Sequence, residues 1–218
     1  MTINKKQNIK KNQKIEVITP EITKKNKKVC REIYNKYDKE CIHDDNKPFI
    51  NIPKLMEIIV TVLKPKVNPK FCNNQKFTEI DFINGIVEII RNCMYWRRYK
   101  NGKIDGEYLR KRHKKYCEWG VYNCLYIILL DVYFSKNKFG KLKNQSFDTT
   151  FCINLYGSEM KGRNVKYKSK NGIKISTIDD NNGTPFSLAI ASGNVSDNII
   201  LNAMLETKNY IIYEAFHK

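Results

Sequence analysis

A stretch in the last third of the chain, Ser146-Phe147-Asp148-Thr149-Thr150-Phe151-Cys152-Ile153-Asn154, constrains the fold more than any other feature. Aromatic and β-branched residues occupy every second position: Phe147, Thr149, Phe151 and Ile153. A period of two in residues of these types predicts a β-strand. Asp148 lies inside this strand although aspartate is depleted in strands. It is therefore a candidate for chemistry rather than for structure.

The residues that follow predict two more strands and a helix. Residues 173–179 and 185–191 are strand-like, and Asp180-Asn181-Asn182-Gly183-Thr184 between them is rich in turn residues. This pattern predicts an antiparallel hairpin. Residues 198–207 have apolar residues at helical spacing and predict a helix. The apolar run Tyr210-Ile211-Ile212-Tyr213 predicts the start of a fourth strand.

In this order the pieces resemble the catalytic core of cut-and-paste DDE transposases, in particular the bacterial insertion-sequence-five type, which is related to the PIF/Harbinger transposases. Four short motifs carry the resemblance: Asp148-Thr149-Thr150, Lys170-Asn171-Gly172-Ile173-Lys174-Ile175-Ser176, Asp180-Asn181-Asn182-Gly183-Thr184-Pro185 and Gly193-Asn194-Val195-Ser196-Asp197. The resemblance covers the last third of the chain and extends loosely back to about Phe77. It implies an α+β protein in which a helical region precedes an RNase H-like core. Asp148 is expected on the central first strand of that core.

The resemblance also implies a chemistry. Asp148 would be the first of three catalytic carboxylates and a ligand of Mg²⁺ or Mn²⁺, because two-metal phosphoryl transfer requires oxygen ligands that converge on both ions. Glu214, in Tyr213-Glu214-Ala215-Phe216, is the nearby candidate for the second carboxylate; a solvated glutamate near the terminus is the simpler interpretation. The third carboxylate has no counterpart. We therefore expect a C-terminally truncated core that is inactive by itself.

Two alternatives stay open at this stage. The chain could be an active transposase or nuclease once a second polypeptide supplies the missing carboxylates. It could also be a basic, non-enzymatic module that binds RNA or DNA. For a transposase, whether truncated or completed, the expected partner is DNA at the ends of a mobile element. A second copy of the chain or a complementing transposase fragment is a further expected partner.

The charge of the chain favours an anionic partner. Lys and Arg number 40 against 22 Asp and Glu, which gives a net charge of +18. Such an excess is typical of nucleic-acid-binding proteins, although a lysine-rich genome contributes to it. No apolar run approaches the roughly 20 residues of a membrane span, and the start of the chain has no secretory pattern. With 7 cysteines, an odd number, an intracellular location is expected, cytoplasmic or nuclear according to the host.

Composition divides the chain into three segments. Residues 1–45 are a lysine-rich lead-in that we expect to be largely disordered, with a helical part in which Val29, Ile33 and Tyr37 share a face. Residues 46–139 predict a helical, helix-turn-helix-like DNA-binding region. Residues 140–218 form the partial RNase H-like core: three antiparallel strands, a helix and the start of a fourth strand.

Four helices are predicted in the middle segment. The first has Pro53 in its first turn and ends before Pro65. The second is capped by Thr78 with Asp81 three residues later. The third runs from Asp105 to Trp119 and is closed by Gly120. The fourth covers residues 121–134.

Basic residues in three places are the candidate DNA contacts. The third helix carries a dense cluster within two turns, which suits a DNA groove or a solvated surface equally well on charge alone. The resemblance favours DNA. The candidates are Arg97, Arg98, Arg110, Lys111, Arg112, Lys114 and Lys115 in the helical segment, and Arg163, Lys168, Lys170 and Lys174 in the core.

Weaker candidates have simpler structural explanations. His113, Cys117, Cys124 and Cys93 could form a zinc site, but no Cys-x-x-Cys pair supports it and helix packing explains them as well. Asp180 is better explained by turn formation. Asp197 is placed to cap or begin the following helix.

Overall fold

A computed structural model of the 218-residue chain describes residues 14–18, 24–40, 50–65, 77–100, 104–136, 145–153 and 160–216. The fold is α+β. In chain order the elements are β1 (Ile15–Ile18), α1 (Lys24–Glu40), α2 (Ile52–Leu63), α3 (Glu79–Arg91), a 3₁₀ helix (Trp96–Arg98), α4 (Gly106–Glu118), α5 (Val121–Lys136), β2 (Gln145–Ile153), β3 (Gly162–Asn164), a second 3₁₀ helix (Val165–Tyr167), β4 (Lys170–Asp180), β5 (Pro185–Ser192) and α6 (Asp197–Phe216).

The chain forms two compact units. A helical unit comprises Thr23–Leu129, and a sheet unit comprises Met1–Ile22 together with Leu130–Lys218. The division falls within α5, so it differs from the predicted boundary at residues 139 and 140. Residues at the start of the chain therefore belong to the same unit as those at its end.

The four predicted helices of the middle segment are confirmed as α2 to α5. Their starts follow from local capping: the Thr78 side chain accepts a hydrogen bond from the Asp81 N–H at 3.3 Å, and Asp81 accepts one from the Thr78 N–H at 2.9 Å. The Asp105 carboxylate accepts from the Glu107 N–H at 2.8 Å. Such caps pair backbone donors that would otherwise lack a partner. Gly120, at φ +73°, adopts the left-handed conformation that ends α4.

The expectation of a largely disordered lead-in is wrong for two segments. Residues 15–18 form β1, and residues 24–40 form the 17-residue helix α1. In α1 the side chains of Cys30, Ile33 and Tyr37 are buried, so the predicted helical part extends over more of the segment than composition indicated. The remaining residues of the lead-in, 1–13, 19–23 and 41–45, lie outside the described residues.

Two buried cysteines join α1 to α5 within the helical unit. The sulfur atoms of Cys30 and Cys124 are 3.1 Å apart. The hydrogen bond with Cys30, together with burial, raises the pKa of the Cys124 thiol. Because a thiolate is the reactive form of cysteine, both effects lower the reactivity of this pair.

We expect iodoacetamide to alkylate the exposed Cys93 much faster than Cys30 or Cys124 in the folded protein at pH 7.5. Peptide mass spectrometry after timed labelling measures this directly. Labelling in urea is the control, because all three thiols should then react at similar rates. Equal rates in the folded protein would contradict the packing of α1 against α5.

In the described residues five strands form one antiparallel sheet. Its order is β1-β5-β4-β2, and β3 pairs with β4. The three strands predicted from sequence are confirmed as β2, β4 and β5, and Asp180 to Thr184 form the predicted hairpin turn. The Asp180 carboxylate accepts hydrogen bonds from the N–H groups of Asn182 at 2.9 Å and Thr184 at 2.8 Å, which is the turn chemistry expected of it.

Two features of the predicted core are wrong. Residues 210–213 do not start a fourth strand but continue α6, which runs without interruption from Asp197 to Phe216. The strand preference of tyrosine and isoleucine depends on their context, and no glycine or proline ends the preceding helix. The strand that bears Asp148 was expected at the centre of its sheet, yet β2 pairs with β4 alone among the described strands.

In the described ranges, no helix has both the length and the apolar character required to cross a membrane.

One face of the sheet packs against α6. Cross-strand pairing aligns Phe147 with Ile178, and Ser176 with Ala189. Ile178 and Ala189 are buried together with Ile200 and Met204 of α6. Since side chains alternate along a strand, Asp148 lies on the opposite face.

Candidate nucleic-acid interface

The exposed side of α4 carries a run of basic residues. At 3.6 residues per turn, Arg110, Lys111, Lys114 and Lys115 lie within an arc of about 140°, and all four are exposed. The opposite side is fixed by the buried Leu109 and Tyr116. The arc also contains Glu107 and Glu118, so four cations stand against two carboxylates. We refer to Arg110, Lys111, Lys114 and Lys115 as the α4 basic arc.

Arg112 does not belong to this surface, although it was a predicted DNA contact. Its guanidinium is 11% exposed and is paired with Glu79, the first residue of α3. The Arg112 Nε donates to Glu79 Oε1 at 2.8 Å, and the Tyr116 hydroxyl donates to the same oxygen at 2.5 Å. Phe82, at 4.8 Å from the guanidinium carbon, adds a cation–π contact. Arg112 is therefore a structural residue that ties α4 to α3.

The 3₁₀ helix places Arg97 and Arg98 beside the start of α4. The Arg97 guanidinium is 90% exposed and lies 3.5 Å from Glu107, which also accepts a hydrogen bond from Arg110 Nε at 2.8 Å. This contact between the two elements is close: a Cβ at Gly106 would lie 1.9 Å from the carbonyl oxygen of Trp96. Both arginines therefore belong to the same surface as the α4 basic arc.

Tyr99 and Trp96 anchor this 3₁₀ helix. The Tyr99 hydroxyl donates to Glu88 of α3 at 2.8 Å, and burial together with this bond raises the pKa of Tyr99 to about 12. The Trp96 ring lies 5.2 Å from that of His113. Because Trp96 and Tyr99 are both held by these contacts, Arg97 and Arg98 between them have a defined position on the helical unit.

His113 is part of this packing. Its Nδ1 is 2.6 Å from the Tyr122 hydroxyl, and burial lowers the pKa of the imidazole. Cys117 Sγ is 3.9 Å from His113 Nε2, whereas Cys124 contacts Cys30. In the part of the chain that the structure describes, no three His, Cys, Asp or Glu side chains lie together as metal ligands would.

The sheet unit carries a second basic surface around β3. Arg163, Lys168 and Lys170 are exposed there. The Arg163 Nε donates to the Ser169 carbonyl at 3.1 Å, and Lys168 has a positive φ of 53° in the turn that leads to β4. These three residues remain candidate phosphate contacts.

Lys174, by contrast, is not available at the surface. It is 11% exposed, and its Nζ donates to Asp197 Oδ1 at 2.6 Å and to the Val195 carbonyl at 2.8 Å. This pair holds the first turn of α6 against β4. The prediction that Lys174 contacts DNA is therefore wrong, and Lys174 has a structural role. Asp197 begins α6, as predicted.

Asp148 lies on an exposed position of β2. Its Oδ1 accepts a hydrogen bond from the Thr149 N–H at 2.8 Å, and its partner across the sheet is Thr177. Thr177 Oγ1 donates to Asp179 at 3.2 Å, so two carboxylates, Asp148 and Asp179, lie diagonally on one face. Mg²⁺ completes its octahedral shell with waters and substrate oxygens, but a two-metal site needs carboxylates that converge on both ions. Within the described residues the ligand set of a two-metal site is not assembled around Asp148.

Glu214 lies in the last turn of α6 rather than at the end of a strand. The second carboxylate of the resemblance is expected at a strand end, so its backbone position does not match that expectation. Its side chain lies outside the described residues.

One surface residue was missed by the sequence reasoning. Tyr95 is 72% exposed beside Arg98, whose guanidinium carbon is 5.4 Å from the ring centroid. An aromatic residue directly before Trp-Arg-Arg was the available signal, but only the structure distinguishes the inward Trp96 from the outward Tyr95.

The chain matches no protein-family model, no curated protein and no solved structure, so its function is inferred from its own residues.

Proposed function

We propose that this chain is a transposase-like DNA-binding protein that contacts duplex DNA through the α4 basic arc and the adjoining Arg97 and Arg98. The observation that carries the proposal is the concentration of exposed cations on one side of α4, next to two further arginines of the 3₁₀ helix. The opposite side of α4 is anchored by buried residues, so these cations are presented by a rigid element.

Phosphate contacts on such a surface are favourable because they release condensed counterions from DNA. Glu107 and Glu118 lie among the cations and compete with phosphate. Lys114 and Glu118 are 4.0 Å apart with side chains 77% and 58% exposed, and exposed pairs of this kind contribute at most about 1 kcal/mol. A phosphate can therefore replace the Glu118 carboxylate at little cost.

The dimensions of α4 also fit a groove. Its 13 residues correspond to a length of about 20 Å, and the major groove of B-DNA admits an α-helix. Trp119 and Gly120 alone separate α4 from α5. In a helix-turn-helix the second helix of the pair lies in the major groove, whereas α4 is the first helix of this pair. The groove contact is therefore proposed from the exposure and charge of α4 alone.

The sheet unit adds support of a different kind. The order β2, β4, β5 and then α6, with Asp148 on β2, is the order of the first half of an RNase H-like core. We include this fold in the proposal, with Arg163, Lys168 and Lys170 as further phosphate contacts. No catalytic step is included, because among the described residues no third carboxylate lies with Asp148 and Asp179.

We expect the purified chain to bind a 30-base-pair duplex with an affinity that falls steeply as salt rises from 50 to 200 mM. The double variant Lys111→Gln/Lys115→Gln should lower the slope of log K against log salt by about 1.8, and the affinity at 0.1 M salt on the order of 50-fold, if each lysine contacts one phosphate. Fluorescence anisotropy of an end-labelled duplex measures both quantities.

The matched control removes two charges from another helix of the same unit. Lys28→Gln/Lys39→Gln on α1 changes the net charge equally, and both lysines are exposed. This control should retain most of the affinity and the slope. Equal losses in the two double variants would show that overall charge, not the α4 basic arc, determines binding. Absence of duplex binding at 50 mM salt would refute the proposal.

A further inference from the structure

Tyr95 is presented to solvent by the residues on either side of it. Trp96 turns inward against His113, with ring centroids 5.2 Å apart, and the Arg98 N–H donates to the Tyr95 carbonyl at 2.9 Å. The backbone of Tyr95 is thus held while its ring is 72% exposed. The Arg98 guanidinium, 5.4 Å from the ring centroid, covers part of the ring. Apart from this contact with Arg98, most of the Tyr95 ring faces water.

The ring borders an open hollow of about 590 Å³ lined by Tyr95, Trp96, Arg97, Arg98, Glu107 and Arg110. Three of the six lining side chains are guanidinium groups, and one is a carboxylate. The hollow therefore combines an aromatic face with a net positive charge.

These two properties match the two parts of a nucleotide. Aromatic side chains stack on bases that are not paired within a duplex, and this stacking tolerates any base sequence. Guanidinium groups bind phosphate with paired N–H donors in a fixed geometry. A base inside a duplex is already stacked on its neighbours and cannot reach such a ring without leaving the helix.

We infer that the hollow binds one unpaired nucleotide of a DNA strand, with its base on Tyr95 and its phosphate on Arg97, Arg98 and Arg110. The inference rests on the proposed DNA binding and assigns it a substrate class: DNA with a single-stranded end or an unpaired position, rather than uninterrupted duplex. Arg97 and Arg110 belong to the surface that contacts duplex phosphates, so a duplex on α4 would deliver its unpaired end to the hollow.

Glu107 is a positioning residue in this arrangement. Its carboxylate contacts Arg97 at 3.5 Å and Arg110 at 2.8 Å, and the hydrogen bond from Arg110 lowers the pKa of the carboxyl. It is therefore ionised at neutral pH and holds two guanidinium groups at the border of the hollow. Three cations against one carboxylate leave a positive charge for the phosphate.

The test compares a blunt 20-base-pair duplex with the same duplex carrying a five-nucleotide single-stranded end that contains 2-aminopurine. We expect the wild-type chain to bind the overhang duplex roughly 5- to 150-fold more tightly, the range that stacking of one base provides, and to quench the 2-aminopurine fluorescence. Tyr95→Leu removes the aromatic face and should abolish both the preference and the quenching. Tyr95→Phe retains the face and should preserve both.

Tyr95 is exposed, so Tyr95→Leu should melt at the wild-type temperature, and circular dichroism checks this. A preference for the overhang that survives Tyr95→Leu, or no preference in the wild type, overturns the inference even if the blunt duplex binds and the proposed function stands. Overhang binding that depends on Tyr95 without any affinity for the blunt duplex supports the inference and refutes duplex binding by α4. Failure to bind either DNA overturns both.

Discussion

Replacing Arg112 by methionine is expected to lower the free energy of unfolding of the helical unit by about 3–5 kcal/mol. The substitution leaves the Glu79 carboxylate, 15% exposed, without its main partner. It also removes the cation–π contact with Phe82. The protein has 2 tryptophans, Trp96 and Trp119, and both lie in the helical unit. Urea unfolding followed by tryptophan fluorescence therefore reports on this unit specifically.

Lys114→Met is the matched control on the same helix. Its exposed pair with Glu118 should contribute less than about 1 kcal/mol, so the midpoint of unfolding should hardly move. The double variant Glu79→Leu/Arg112→Met should recover part of the loss, because it removes the buried carboxylate that Arg112→Met leaves without its main partner. Lys64, which lies 3.5 Å from Glu79, is 35% exposed and remains solvated. A loss for Arg112→Met as small as that for Lys114→Met would show that the Glu79–Arg112 pair does not hold α3 and α4 together.

The same pair predicts an acid sensitivity. Burial raises the pKa of the Glu79 carboxyl, but the hydrogen bonds from Arg112 and Tyr116 outweigh burial and hold the pKa below its ordinary value of 4.5. A lowered pKa in the folded state stabilises the protein above pH 4.5, and this stabilisation is lost as the pH falls through the folded-state value. The stability difference between wild type and Glu79→Gln should therefore shrink below about pH 4.5.

Gly106→Ala is the second substitution for which we expect a large effect. A Cβ at this position would lie 1.9 Å from the Trp96 carbonyl oxygen and 3.1 Å from Tyr99 Cβ. Since both neighbours are held by their own contacts, the 3₁₀ helix must move away from α4. We expect a loss of about 1–3 kcal/mol in unfolding free energy, together with weaker duplex binding, because Arg97 and Arg98 move with the segment.

Gly85→Ala is the control for this substitution. Gly85 also lies in a helix of the helical unit, but its added Cβ would meet the end of the Leu109 side chain at 2.8 Å, a smaller overlap than at Gly106 and one with a side chain rather than with backbone. The gain of up to about 1 kcal/mol in helix propensity offsets that adjustment. Duplex binding should be unchanged in Gly85→Ala. Equal effects of the two substitutions would contradict the close contact between the 3₁₀ helix and α4.

The parts of the fold that could be predicted from the sequence are those whose causes are local. The Thr78–Asp81 capping box, the Asp105 cap, Gly120 and the Asp180 turn each involve residues within four positions of one another, and each is confirmed. The predicted fourth strand fails for the complementary reason. Residues 210–213 are β-branched or aromatic, which favours a strand. A helix that has already formed extends through them easily, however, because each added residue gains one backbone hydrogen bond without a new nucleation step.

In the candidate site, too, the features with local causes could be predicted and those with distant causes could not. The exposure of Arg110, Lys111, Lys114 and Lys115 follows from helical periodicity, whereas the burial of Arg112 depends on Glu79, 33 residues away. Lys174 is likewise removed from the surface by Asp197, 23 residues away. Neither partner is visible in the local sequence. Exposed and buried cations in a lysine-rich chain therefore look alike until tertiary contacts are known.

The pairing of β1 with β5 has a consequence for how the chain is made. Ile18 pairs with Leu188, so the ribosome must add about 170 residues after the first strand before its partner exists. At 5–20 residues per second this takes roughly ten to thirty seconds. The helical unit, Thr23–Leu129, is complete well within that interval. During synthesis the nascent chain would therefore carry the helical unit after a strand that is still unpaired, and the sheet would form last.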